Sequence, residues 1–339
     1  MEPNDWLIVG GLVIGVVFGV LAQRFRLCMV AGAGNWLLVR DGRQVIAFLA
    51  AWIIAIAGTQ ILELVGIVDI ASSSYRNSLL DWFGASVGGL LFGVGAALAG
   101  SCSIRTVVRT MEGSMHALLV FIMFALAAAV TQFGFLETAR ISLTNITASD
   151  LTTDAGLASI LSIPSWLVFI VIEIALIAFL WRVWKNSANV PMLIIGIVIG
   201  GLVISSWYVT GVLAQDEFDP VNPSAITMSG PFARFGYILI SGRIPALSFA
   251  ISFVIGTALF SFLSALVTGQ FSITAPRKGM AKMALIGGSL MGIGGIMAYG
   301  CNIGQGLSGI STLSVESLLA VIGMVLGVGI VTKWMEKHA

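Results

Sequence analysis

Apolar residues gather in runs of about 18 residues or more, and short polar stretches between the runs carry most of the charges. A helix rising 1.5 Å per residue needs about 20 apolar residues to cross the hydrocarbon of a bilayer. Hydropathy places nine such spans, near 6–23, 44–68, 83–100, 116–136, 163–184, 191–213, 243–268, 283–300 and 315–334. The pattern predicts an all-α integral membrane protein. Composition agrees: 58% of the 339 residues are hydrophobic and only 10% charged, with a mean hydropathy of +1.02. So few charges could not cover a soluble protein of this size. The net charge of +1 points to no class of partner, and no basic tract suggests nucleic acid. No Lys or Arg precedes the first run, so that run is expected to be a retained helix rather than a secretory signal.

The charges orient the spans. With the amino terminus outside, the inner loops carry Arg24, Arg26, Arg40, Arg43, Arg105, Arg109, Arg182, Lys185, Arg277, Lys278, Lys282, Lys333 and Lys337. The outer loops carry Arg76, Arg140, Arg234 and Arg243. Thirteen against four is the asymmetry of the positive-inside rule. Nine spans then put the carboxyl terminus in the cytoplasm.

Three cysteines, all the chain has, end the same phrase: Gly15-x3-Gly19-x8-Cys28, Gly89-x3-Gly93-x8-Cys102 and Gly288-x3-Gly292-x8-Cys301. The first two phrases lead into inner loops and the third runs the other way. Residues Ser86 to Thr106 align with Leu285 to Gln305 at one constant offset, and Gly196-x3-Gly200 is followed, after eight intervening residues, by Val209 in place of a thiol. Two halves of opposite topology are expected, about 6–136 and 191–334, with the span at 163–184 as connector. Inverted halves are a transporter signature, with the substrate site near the midplane where they meet. The glycines themselves have a plainer purpose, since small-xxx-small faces let membrane helices approach closely.

After each cysteine comes a stretch too polar to span: 28–35, 102–106 and 301–309. Such backbone is tolerated at membrane depth when buried in protein or lining a cavity. Folded back as short in-membrane helices, these stretches would offer backbone N–H groups and a thiol to a central passage, a setting that suits an anion. A lone cysteine is most simply a small buried hydrophobe; three at one spacing are placed features. Arg105 stands one turn beyond Cys102, where it favours thiolate and attracts anions or serves only as an inner-loop charge. Arg24 and Arg26 flank Cys28 as topology charges. Asn302 and Gln305 either share a ligand's oxygens or bond exposed loop backbone. Glu173, in the middle of the connector, either relays a proton or pairs with a hydroxyl on a neighbouring helix. The stretches 137–160 and 214–242 read as outer polar segments. No CxxC or Cys/His metal spacing occurs, so no disulfide framework, metal or cofactor is expected.

Arg26-Leu-Cys28, Gly-Ser-Cys102-Ser-Ile-Arg105 and Gly-Cys301-Asn-Ile-Gly-Gln-Gly-Leu-Ser-Gly309 together resemble the signatures of the YeeE/YedE family of sulfur-transport membrane proteins. The resemblance covers essentially the whole chain. It implies an hourglass-shaped plasma-membrane transporter rather than an enzyme, with thiosulfate uptake as the family's best-understood role. It further implies that Cys102 is the central thiol, Cys301 the one nearer the outer mouth and Cys28 a third station. In that picture the ion passes by transient S–H···S contacts. The chain departs from thiosulfate members at Ser103-Ile-Arg105 and at Gln305, where some relatives carry histidine, so other sulfur or selenium compounds stand as alternative substrates. A small TusA-like sulfur carrier on the cytoplasmic face is the partner to consider. From another class, a thiol oxidoreductase or sulfurtransferase would use Cys102, activated by Arg105, as nucleophile.

Overall fold

Long apolar stretches with glycine every fourth residue form helices that press backbone to backbone, and this contact organises the molecule. The computed structural model describes residues 3–151, 154–216, 221–243, 247–276 and 279–338. In chain order its helices are α1 (Pro3–Arg24), α2 (Met29–Val39), α3 (Arg43–Leu64), α4 (Trp82–Ala99), α5 (Ser103–Met111), α6 (Met115–Phe133) and α7 (Phe135–Thr147). There follow α8 (Leu157–Leu161), α9 (Ser165–Ser187), α10 (Val190–Tyr208), α11 (Ser229–Ser241), α12 (Phe249–Val267), α13 (Met280–Met297) and α14 (Val315–His338). Wider π-type turns follow α10 at Val209–Leu213 and precede α14 at Gly304–Gly309. Among the described residues nine helices or interrupted helices are long and apolar enough to cross a membrane, and they match the nine expected spans. α4 and α5 read as one interrupted span, Trp82–Met111. Among the inner-loop cations, Arg277 and Lys278 lie outside the described residues.

Some boundaries move for local reasons. The second span ends at Leu64 rather than near 68, because Gly66 takes a left-handed turn with φ of 74°. The seventh begins at Phe249, with Ser248 in extended conformation ahead of it, rather than at 243.

The repeated glycines are contact points. A methyl at Gly15 or Gly19 of α1 would overlap the carbonyls of Phe253 and Thr257 on α12, and one at Gly89 or Gly93 of α4 those of Ala320 and Met324 on α14. At Gly288 and Gly292 of α13 it would meet Val120 and Phe124 of α6; at Gly196 and Gly200 of α10, Ala47 and Ala51 of α3. Each phrase thus seats one helix on one partner, at distances only a residue without a side chain permits. The four pairs exchange among themselves if α1, α3, α4 and α6 are swapped for α10, α12, α13 and α14. Other contacts follow the same exchange: α4 packs on α13, α2 on α14 as α11 on α6, and α2 on α3 as α11 on α12. α9 stands to one side, against α3.

Two segments expected as outer polar loops hold helices. α7 occupies 135–147, and α11 lies within 214–242 with Pro231, Phe232, Ala233 and Gly236 buried. α11 is a short helix packed into the bundle, where its Gly236 abuts the Ala125 carbonyl of α6. Antiparallel pairing of Leu79–Leu80 with Ser149–Asp150 ties the connections on that face together.

Candidate functional site

The three cysteine phrases end in one backbone device. Two residues before each thiol the chain takes a left-handed conformation: Arg26 at φ 51°, Gly100 at φ 64° and Tyr299 at φ 52°. The preceding helix stops there. Each cysteine carbonyl then accepts the first bond of a new helical turn, from Gly32 N–H at 2.9 Å, Thr106 N–H at 2.8 Å and Gln305 N–H at 2.8 Å. Cys28 and Cys102, both extended, are the residues that start α2 and α5. The arrangement puts every thiol at the amino-terminal, electropositive end of a helical segment. All three are free and buried.

The breaks come together in space. The thiols of Cys28 and Cys102 face one another. The backbone N–H groups of Val30 and Ala31 lie around the first sulfur, and those of Arg105 and Met29 around the second, without closing a regular capping bond. The Ser103 hydroxyl donates to the Asn302 Oδ1 at 2.7 Å, joining the residue after Cys102 to the residue after Cys301. Asn302 is 2% exposed, and its Nδ2, shut from solvent, has no hydrogen-bond partner. A buried amide that leaves one donor unmet costs stability, so it marks a position where an acceptor is wanted. Beside Cys301 stands Tyr75, whose hydroxyl is shared with Thr227 and Ser308; burial holds its phenol well above the ordinary range, keeping it a donor.

Gln305 is turned away from this centre. Its Nε2 donates to the Ala298 carbonyl at 2.6 Å and its Oε1 accepts from Ser317 at 2.5 Å, so it braces the 301–309 turn. Trp52 of α3 braces the same turn through the Gly306 carbonyl, 2.5 Å away. Arg105 points to Glu112, with Nη2 3.8 Å from Oε2, and its Nη1 is buried without a partner. His116 bonds the Ala99 carbonyl at 3.0 Å, holding the end of α4. Glu173 is 8% exposed and its Oε1 has no partner, but it lies on α9, away from the cysteines.

A hollow on each face leads toward the breaks. On the face bearing the amino terminus, a pocket of about 280 Å³ is lined by Tyr75, Gln132, Arg140, Thr227, Ser229 and Tyr299. The other, about 400 Å³, is lined by Arg26, Asn35, Asp41, Arg43, Gln44 and Met192 among others. There Arg43, bonded to both Asp41 carboxylate oxygens, holds that carboxyl below its usual range. Sequence reasoning passed over Tyr75 and Glu112 and gave Ser103 no role of its own. Ser103 adjoins a marked cysteine, whereas nothing local sets Tyr75 apart.

The sequence is similar to those of known proteins. A family model described as Sulphur transport matches residues 24–330. The "Thiosulfate transporter TsuA" of Escherichia coli (strain K12) is 25% identical over 341 residues, covering 95% of this chain and 93% of that protein. The protein of the same name from Spirochaeta thermophila is 26% identical over 336 residues, covering 95% and 97%. The "Probable transporter YedE" of Escherichia coli (strain K12) is 32% identical over 108 residues, 31% of this chain and 24% of that protein.

Proposed function

The chain belongs to the sulphur transport family, and from that premise we propose that it carries thiosulfate inward across the plasma membrane. The ion enters by the amino-terminal hollow and is relayed past Cys301, Cys102 and Cys28. The observation that carries this reading is the shared break, which gives each thiol a helix amino terminus and sets two of the thiols face to face. Thiosulfate has a soft terminal sulfur and hard oxygens. Thiols are weak donors matched to the first; backbone N–H groups, Tyr75 and the free Asn302 amide are matched to the second. Several weak stations conduct better than one tight site, because a tight site does not release its ion.

In this reading the halves 6–136 and 191–334 are inverted repeats about the cysteine centre, with 163–184 as connector. The exchange of helix contacts between the halves supports it. The amino terminus is outside and the carboxyl terminus in the cytoplasm, where a small TusA-like carrier would receive the sulfur. Arg105 and Asn302 serve the ion, and Gln305 serves the turn that holds Cys301.

The test is uptake of radiolabelled thiosulfate by proteoliposomes containing the wild type or Cys102→Ala, with sulfate and selenite as competitors. Uptake lost in the variant and resistant to sulfate is the expected result. Wild-type uptake by a folded Cys102→Ala protein refutes the relay. Preferential competition by selenite moves the substrate to selenium chemistry. A persulfide trapped on Cys102 during turnover would favour the sulfurtransferase reading instead.

A further inference from the structure

Beyond Cys102, on the side of the molecule that holds the α5–α6 and α12–α13 connections, lies a polar cluster around Arg105. Arg105 and Glu112 are each 16% exposed at the side chain and 3.8 Å apart. A charge-assisted N–H···O bond is about 2.7–2.9 Å long, so the pair is near but not engaged. The buried Nη1 of Arg105 has no partner at all. Arg109, one turn on, is an electrostatic neighbour of Arg105, Glu112 and the Cys28 thiol. Two guanidiniums against one carboxylate leave a net positive charge at the end of the thiol path.

Glu112 is held at this distance by its surroundings. Its carbonyl accepts from Ser272 N–H at 2.9 Å, and its Oε1 is 3.5 Å from the Gln23 amide. Gln23 is fully buried and anchored by Ser264 at 2.8 Å and Gln270 at 3.0 Å. Three helices and a connection therefore position a carboxylate beside an arginine whose Nη1 lacks an acceptor.

We propose that Arg105, with Arg109, receives the anion as it leaves the thiols, and that Glu112 is a built-in competitor which displaces the anion toward the C-terminal face. The inference rests on the transport reading and deepens it by assigning a release step. A lone pair of arginines would retain a dianion. A carboxylate one short movement away keeps the last station weak, as conduction requires. Glu112 acts through Arg105, so it is a positioning residue.

The experiment measures equilibrium binding of labelled thiosulfate to the full chain in detergent and uptake by the same preparations in vesicles. It compares wild type, Glu112→Gln, Arg105→Gln and the double variant. Glu112→Gln keeps an oxygen and an amide near Gln23; Glu112→Ala repeats the lesion in case the glutamine variant folds poorly. The expected result is binding about tenfold tighter in Glu112→Gln, within the usual range of coupling between sites, with turnover and KM both reduced. The tightening should vanish when Arg105 is also replaced. A folded Glu112→Gln protein that binds no tighter, or a tightening that survives loss of Arg105, overturns the latch and leaves a structural ion pair. A wild type that neither binds nor carries thiosulfate fails the substrate reading instead. Sulfate, sulfite and selenite are then run through the same binding comparison: tightening of any of them through Arg105 supports the latch, and tightening of none overturns it.

Discussion

At the scale of single residues, the two amides after Cys301 are held differently. Asn302 has one end engaged by Ser103 and one donor free; Gln305 has both ends engaged within its own turn and at Ser317. Removing Gln305 strands the Ala298 carbonyl and the Ser317 hydroxyl, at a cost of about 1–3 kcal/mol for each buried group left unpaired. Gln305→Ala should therefore lower the melting temperature and the yield of folded protein, with near-normal uptake per folded molecule. Asn302→Ala should do the reverse, reducing uptake per folded molecule several-fold with a smaller change in melting temperature. Thermal unfolding and vesicle uptake on the same preparations distinguish the two. Read from sequence, the residues were a matched pair of neighbouring amides. The repeated spacing singles out the cysteines, but which way a side chain turns depends on partners such as Ser103, nearly 200 residues away, and Ser317, across a turn.

At the scale of elements, the glycine phrases set how closely helices approach. Gly93→Ala would drive a methyl into the Met324 carbonyl and pry α4 from α14. Overpacking of this kind typically costs about 1–3 kcal/mol, so the variant should unfold earlier in detergent melts. Gly201→Ala, at a position with open space around it, should be neutral in the same assay. Long apolar helices were legible because their hydropathy is local. α11 was not, since Pro231 and Arg234 dilute its signal below that of a span. Its clue lay in the shared glycine phrase: if the span ending near 213 corresponds to the first, it should be followed by a partner for α2. Val209 drew attention to the wrong place, because the intervening chain carries that partner on to 229–241.

At the scale of the whole molecule, helix pairs and cysteine breaks occur in matched sets around one centre, with hollows on either side. The sequence carries one constant offset, between 86–106 and 285–305, as expected where a repeated helix contact demands the same small residues each time. It could not show that α2 and α11 pack alike, because their residues share no spacing. The four glycine-seated pairs have a kinetic consequence. Helices locked carbonyl to backbone cannot slide without losing contact along their whole length, so the expected outcome is transport with little collective motion. Flux through vesicles should then rise only gently on warming, with the modest temperature coefficient of ions moving through a fixed conduit. A steep coefficient would mean that the seams open on every cycle.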